Sequence, residues 1–229
     1  MLILAQATQE WSWDMEYALE ILPDIAYGLW QTVQATLVGI TIGMVLGLVL
    51  ALMRRSRLKI VSWPTTAFIE FVRGTPLLVQ LFFIFFVLPN FGITLSPFLT
   101  LVVGLGIHYG TYTSESYRAG IDNVELGQWE ASTALNLSSA TTWSRVVLPQ
   151  AIPTVIPALG NYLVAMFKDA PLGMGVAAGG ILLAAVSEAS RSFQPVEPYA
   201  VMGLLFLAVS LPAALFVRYL ERRYGYERA

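Results

Sequence analysis

Charged side chains make up only 12% of this 229-residue chain, so those beside or inside its apolar runs are the first candidates for chemistry. Glu70 and Arg73 stand three residues apart, Glu115 and Arg118 do the same, and Lys168 is followed directly by Asp169. Side chains three apart meet on one helix face, so the first two couples can ion-pair, either statically or exchanging partners as helices move. At membrane depth Arg73 requires such a partner, because an unpaired charge there is costly. Lys168 and Asp169 offer both signs of charge, which suits a gate or a contact for a zwitterionic solute; simple snorkelling at the interface accounts for the same pair.

Other chemistries are closed off. Cys is absent and His108 is the single histidine, so neither a thiolate nor a multi-His metal site can form within the chain. His108 reads as a hydrogen-bonded interior residue. Pairing Ser114 with His108 would make an intramembrane serine protease, but no G-x-S-x-G motif or oxyanion loop accompanies them. No G-x-x-x-x-G-K-[ST] loop is present, and the G-x-G-x-x-A match at Gly173 to Ala178 follows Pro171 and Leu172 instead of a strand. We therefore expect no cofactor, no metal and no nucleic-acid partner.

The elements that must carry these residues are membrane helices. Hydrophobic residues make up 56% of the chain, and Ile25 to Met53, Gly74 to Ser114 and Val146 to Phe167 contain no Asp, Glu, Lys or Arg. About 20 apolar residues suffice to cross the hydrocarbon core as a helix, and these runs lack the two-residue alternation of barrel strands. Arg54, Arg55, Arg57 and Lys59 end the first span, so the positive-inside rule sets that end in the cytoplasm and the N-terminus outside. Further spans are expected at about 63–88, 95–112, 147–167 and 199–217. The Gly-rich stretch from Ala170 to Ser187 is read as re-entrant or outer-side, which keeps Arg218, Arg222, Arg223 and Arg228 cytoplasmic. The result is an all-α integral membrane protein of five transmembrane helices: an extracytoplasmic N-terminal segment 1–24, with Met15 a second candidate start, and one transmembrane domain 25–225.

Small residues at Ala35, Gly39, Gly43, Gly47 and Ala51 line one face of the first span, a seam for close helix approach. Pro149, Pro153 and Pro157 remove backbone donors from one side of the fourth, which predicts a kinked or irregular helix beside a water-filled path or within protein packing. Between the third and fourth spans lies a polar cytoplasmic loop at about 122–148. Gln128 to Leu135 reads as a short helix, Asn136 as its stop and Ser138 as the cap of the next. Trp129, Thr133 and Leu137 share a face, with Leu126 alongside, and so short a helix pair is expected to dock it into a partner's groove.

From Glu130-Ala131-Ser132, through Asn136, to Val146-Val147-Leu148-Pro149, the loop resembles the E-A-A-x3-G-x9-I-x-L-P signature of ABC-importer permeases, with Ser132 for the second Ala and Asn136 for the Gly. The stretches from Phe71 (FVRGTPLLVQLFFIFF), Tyr112 (YTSESYRAGI) and Asn161 (NYLVAMFKDAPL) resemble the polar amino-acid uptake permeases of the histidine, glutamine and arginine branch, and Lys-Asp-Ala-Pro at 168–171 is most similar to ectoine and hydroxyectoine permeases. The resemblance implies a type I ABC-importer permease fold in the bacterial cytoplasmic (inner) membrane and no enzymatic activity of the chain's own. It implies two ATP-binding subunits, a second permease chain, identical or paralogous, and an extracytoplasmic solute-binding protein as partners. Gly127, Glu130, Ala131, Ser132, Leu135, Asn136, Leu137, Ser138 and Pro149 would couple to the ATPase, and Arg73, Glu115, Arg118, Pro153, Pro157, Asn161, Lys168 and Asp169 would line or gate the path. The alternative is an ion-coupled secondary transporter, which would call for carboxylates in the middle of the spans.

Overall fold

A computed structural model describes residues 13–224; residues 1–12 of the expected outer segment, and Arg228 with the end of the 25–225 domain, lie outside the described residues. Every regular element among them is helical. The first, α1, runs Met15–Arg54, 40 residues or about 60 Å, roughly twice the thickness of a hydrocarbon core. It begins where the Asp14 side chain accepts from the Tyr17 amide, 3.0 Å, an N-cap that satisfies one of the free donors of the first turn. The helix thus starts ten residues before the first expected span, and residues 15–24 are its continuation.

Helix α2 spans Lys59–Arg73 and α3 spans Leu77–Phe82, the latter extended by a π turn at Phe83–Val87 and a 3-10 turn at Leu88–Phe91. The span expected at 63–88 is broken at the Gly74-Thr75-Pro76 interruption that its residues predict, and the two halves meet at 107°. Pro76 cannot donate to the ladder, and the Gln80 side chain supplies what is missing. Its Nε2 lies within reach of Val72 O (2.7 Å), Thr75 O (3.0 Å) and Thr75 Oγ1 (2.9 Å).

Helix α4 (Pro97–Asp122) is the central rod, with α1 as its most extensive neighbour. The small residues of α1 meet glycines of α4 within the chain. A Cβ on Gly47 would lie 2.0 Å from Thr113 Oγ1, and one on Gly106 would lie 2.6 Å from Ile42 Cγ2; the Thr113 hydroxyl donates to Gly43 O at 2.8 Å. Ala35, Ile40, Leu101, Leu105 and Met166 build the main core on this seam.

The polar loop at 122–148 forms α5 (Leu126–Ala134) and the single turn α6 (Ser139–Thr142). After a π turn at Trp143–Val147 comes α7, Leu148–Asp169. Pro149 sits in the first turn of α7, where its missing amide falls at the π interruption, and Pro153 and Pro157 lie inside a helix that continues through them. The expected irregularity is therefore concentrated a turn earlier. A 3-10 segment, Ala170–Val176, leads to α8, Ile181–Ser192. At 12 residues α8 is about 18 Å long, too short to cross. Its start is held by α1: Gly180 N donates to Gln31 Oε1 and Ile181 N to Thr32 Oγ1, both at 3.0 Å. Helix α9, Val196–Tyr224, closes the chain. By length and hydropathy α1, the rod from Ser139 to Val176 and α9 can each cross a membrane, and the bent α2–α3 unit makes a fourth candidate. Helix α4, with several Thr, Ser and Tyr residues and His108, is long enough but not among them.

Candidate functional site

Two polar constellations lie along α4. Nearer its middle, His108, Tyr109 and Tyr112 gather with Tyr162 of α7. Ring centroids are 5.2 Å apart for His108 and Tyr112, 5.9 Å for Tyr112 and Tyr162, and 6.3 Å for Tyr109 and Tyr162. The Tyr109 hydroxyl donates to Asp169 Oδ2 at 2.7 Å. His108 Nδ1 is 3.2 Å from Gln80 Oε1. Because the Gln80 amide nitrogen faces carbonyl acceptors, its oxygen is left for His108, which requires the hydrogen on Nδ1. Arg73 stacks over the Tyr112 ring with its guanidinium carbon 5.1 Å from the centroid, a cation–π geometry. A strip of aromatic faces thus connects a cation, Arg73, to an anion, Asp169.

Below this strip, Glu115 is the hub of an ion-pair cluster drawn from three helices. Arg118 reaches its Oε2 at 2.9 Å and 3.1 Å, Arg73 lies 3.8 Å from Oε1, and Arg54 of α1 bonds Oε1 as well. Arg118 also donates to Asp122 at 2.9 Å, Arg55 bonds the same carboxylate, and Glu70 stands 4.0 Å from Arg54. The two pairs expected at three-residue spacing resolve differently: Glu115 and Arg118 do pair, whereas Glu70 and Arg73 each turn to this shared cluster.

In the polar loop, Asn136 takes φ +52°, the left-handed turn that ends a helix, and Leu137 N donates to Ser132 O at 3.0 Å. The Ser138 hydroxyl accepts from Thr141 N at 3.2 Å. Most of the expected face is turned outward, Thr133 and Leu137 being exposed and Leu126 71% exposed, but its largest member is not. Trp129 packs edge-on against Trp143, centroids 5.5 Å apart, and onto Ile121, Val124, Val147 and Ala151, while Ser132 is buried. Gly127, Glu130, Ala131 and Leu135 are exposed, with Leu137 and Pro149 beside them. Two tryptophans anchor the loop because they are the largest apolar side chains available to cover the open end of α4 and α7.

Several expected path residues are separated. Lys168 is exposed and Asp169 half-buried. Asn161 donates to Glu221 Oε1 of α9 at 2.7 Å, and Pro153 and Pro157 are half-buried without joining the aromatic strip. Asp169, expected at the outer mouth, reaches Tyr109 near the middle of α4. Sequence reasoning missed Arg54, Gln80, Tyr109, Tyr112 and Tyr162. The three-residue spacing of Tyr109 and Tyr112 was the available signal; nothing local marked Gln80.

Ser114 and His108 are each engaged elsewhere and do not pair with one another: Ser114 donates to Thr111 O at 2.6 Å and His108 is engaged with Gln80. Among the described residues no group of three or more metal-binding side chains is assembled.

The chain is 43% identical over 208 residues to "Probable amino-acid ABC transporter permease protein y4tG" of Sinorhizobium fredii, covering 91% of this chain and 90% of that one. It is 32% identical to the L-cystine transport system permease protein TcyB of Bacillus subtilis, covering 88% and 86%. Among solved structures, one described as an amino acid ABC transporter with histidines superposes with a TM-score of 0.86 at 32% identity, over 93% of this chain and all of that one. Residues 39–226 match the model of the binding-protein-dependent transport system inner membrane components, and the chain, all-helical among its described residues, belongs to that family of ABC-importer permeases.

Proposed function

We propose that the chain is one permease subunit of an ATP-driven importer for amino acids or similar zwitterionic solutes in the cytoplasmic membrane of a bacterium. The observation that carries this reading is the exposed face of α5, Gly127, Glu130, Ala131 and Leu135, joined through Asn136 and the Ser138 cap to the α7 rod. An exposed, Trp-anchored helix at the end of a membrane rod is a lever: force applied to α5 by two ATP-binding subunits is passed to α7 and to α4. Ser132, buried beneath the lever, and Ser138, the cap of α6, hold its shape, and Leu137 and Pro149 are exposed alongside it. Family membership, and the amino-acid names of its relatives, support the solute class. A second permease chain and an extracytoplasmic binding protein complete the assembly.

Five crossings are proposed: α1, the bent α2–α3 unit, α4, the rod ending in α7, and α9, with α8 on the outer side. Placing the ends of α1 and α9 in the cytoplasm gathers Arg54, Arg55, Arg57, Lys59, Arg218, Arg222 and Arg223 on one side. The solute path is proposed along the aromatic strip. Asp169 meets the ammonium group, Arg73 the carboxylate, and the Glu115–Arg118–Arg54 cluster closes the inner end, opening as the lever moves. Ectoine and hydroxyectoine are the narrower candidates, resting on the resemblance of Lys168-Asp169-Ala170-Pro171 together with the rest of the chain.

Reconstituting the chain with and without ATP-binding subunits tests the proposal. Alone it should neither hydrolyse ATP nor accumulate solute, and the complex should do both. Uptake that survives ATP depletion but collapses with an ionophore would establish the secondary-transporter reading instead. Competition of radiolabelled uptake by amino acids and by ectoine ranks the solutes.

A further inference from the structure

We infer that α2 is an interfacial helix holding an anionic phospholipid, with Arg57 and Lys59 on the phosphate and Ile60, Trp63 and Phe71 on the acyl chains. The 107° bend sets α2 almost at right angles to Leu77–Phe91, so if that segment crosses the bilayer, α2 lies along its surface. At 100° per residue α2 divides into three sectors. Thr65, Ile69 and Val72 are buried against the body of the protein. Lys59, Ser62, Thr66, Glu70 and Arg73 form a polar strip. Ile60, Trp63 and Phe71 form a separate apolar strip, 84%, 70% and 70% exposed. A helix with one packed face, one free apolar face and one polar face has the composition of an element seated at the boundary between headgroups and chains.

Charge selects the occupant. Arg54 and Arg55 are committed to Glu115 and Asp122, but Arg57 and Lys59 have no carboxylate partner among the described residues. Lys59 Nζ sits 5.8 Å from the Trp63 ring, directly joining the cationic start of the helix to its free apolar strip. Two unneutralised cations over exposed apolar side chains complement a phosphate above hydrocarbon, and clustered cations beside a membrane helix favour anionic lipids. The other end of α2 carries Glu70 and Arg73, so a lipid-held helix is tied to the Glu115 cluster. Naming the leaflet as cytoplasmic rests on the orientation proposed above; the contact itself does not.

The test uses the full chain in phosphatidylcholine nanodiscs containing the same small fraction of either brominated phosphatidylglycerol or brominated phosphatidylcholine. The Trp63 emission is obtained as the difference from Trp63→Phe. Brominated phosphatidylglycerol should quench it about two-fold more than brominated phosphatidylcholine. In the double variant Arg57→Gln, Lys59→Gln that preference should vanish while quenching by phosphatidylcholine is unchanged, which also shows that α2 is still folded. Equal quenching by both lipids in the unaltered chain overturns the headgroup site. Quenching by neither overturns lipid contact altogether and means that protein, such as a second copy, covers the strip. Failure of the transport proposal would leave these results untouched.

Discussion

Tyr109 and Asp169, sixty residues apart, are joined by a 2.7 Å hydrogen bond that ties α4 to the end of α7. The carboxylate is the anionic end of the aromatic strip, and the tyrosine hydroxyl donates to it. Removing a hydrogen bond to a charged group costs about 1.5–3 kcal/mol, which sets the scale of the first prediction. Tyr109→Phe should weaken apparent solute affinity about ten-fold or more with little loss of protein from the membrane. Asp169→Asn should do more, and selectively so for solutes bearing a cation. Uptake kinetics in proteoliposomes check both, and an unchanged KM in both variants removes Asp169 from the path.

The seam between α1 and α4 predicts a stability effect with an internal control. Gly47→Val would press against Thr113 and the backbone of Gly110, and overpacking costs about 1–3 kcal/mol. Gly203 in α9 has open space where a Cβ would stand, so Gly203→Ala should be neutral or stabilise by up to about 1 kcal/mol. Detergent-solubilised melting temperatures should fall for the first and hold or rise for the second.

Asn136 predicts a turn-specific effect. At φ +52°, Asn136→Gly is expected to be tolerated, whereas Asn136→Val forces a β-branched side chain into the left-handed region at a cost of about 1–2 kcal/mol. Limited proteolysis between α5 and α6 should be faster in the valine variant alone. Equal proteolysis in both would mean that the turn is not the strained point of the loop.

These residues also mark how far the sequence can be read. Asn136 and Ser138 are legible because capping is local: a left-handed stop followed by a hydroxyl two residues on has few other meanings. The α1 glycines are legible as a seam, since four-residue spacing fixes a helix face, although not that α4 would be its partner. The break at Gly74-Thr75-Pro76 is visible, but its 107° angle depends on Gln80 bonding the freed carbonyls, a tertiary substitution with no local signature. The exposure of Leu126, Thr133 and Leu137 follows from the helical wheel, but the covering of Trp129 on the same face does not. Trp129 has a partner, Trp143, across a loop whose closure the helical wheel does not contain. The end of an apolar run points to the outer mouth for Asp169, yet the length of the Tyr109 side chain brings the two groups together.

The Glu115 cluster predicts dependence on charge. Four arginines, Arg54, Arg55, Arg73 and Arg118, share three carboxylates, Glu70, Glu115 and Asp122. Glu115→Gln leaves Arg54, Arg73 and Arg118 facing one another without their common anion, and breaking such a hub costs several kcal/mol where it is dehydrated and less where water reaches it. The variant should melt lower, with part of the loss recovered in high salt as ions screen the arginines. A melting temperature equal to that of the unaltered chain at every salt concentration would show that the cluster holds nothing together.

The central claim is a contact between α5 and a separate ATP-binding subunit, and the absence of cysteine from the sequence allows it to be tested with a single introduced thiol. Ala131→Cys, on the exposed side of α5, should label with a membrane-impermeant maleimide only from the cytoplasmic side, lose that labelling when the ATP-binding subunits assemble, and cross-link to them through a short bifunctional reagent. Labelling from the outer side, or labelling that is undiminished in a complex competent for ATP hydrolysis, contradicts the account.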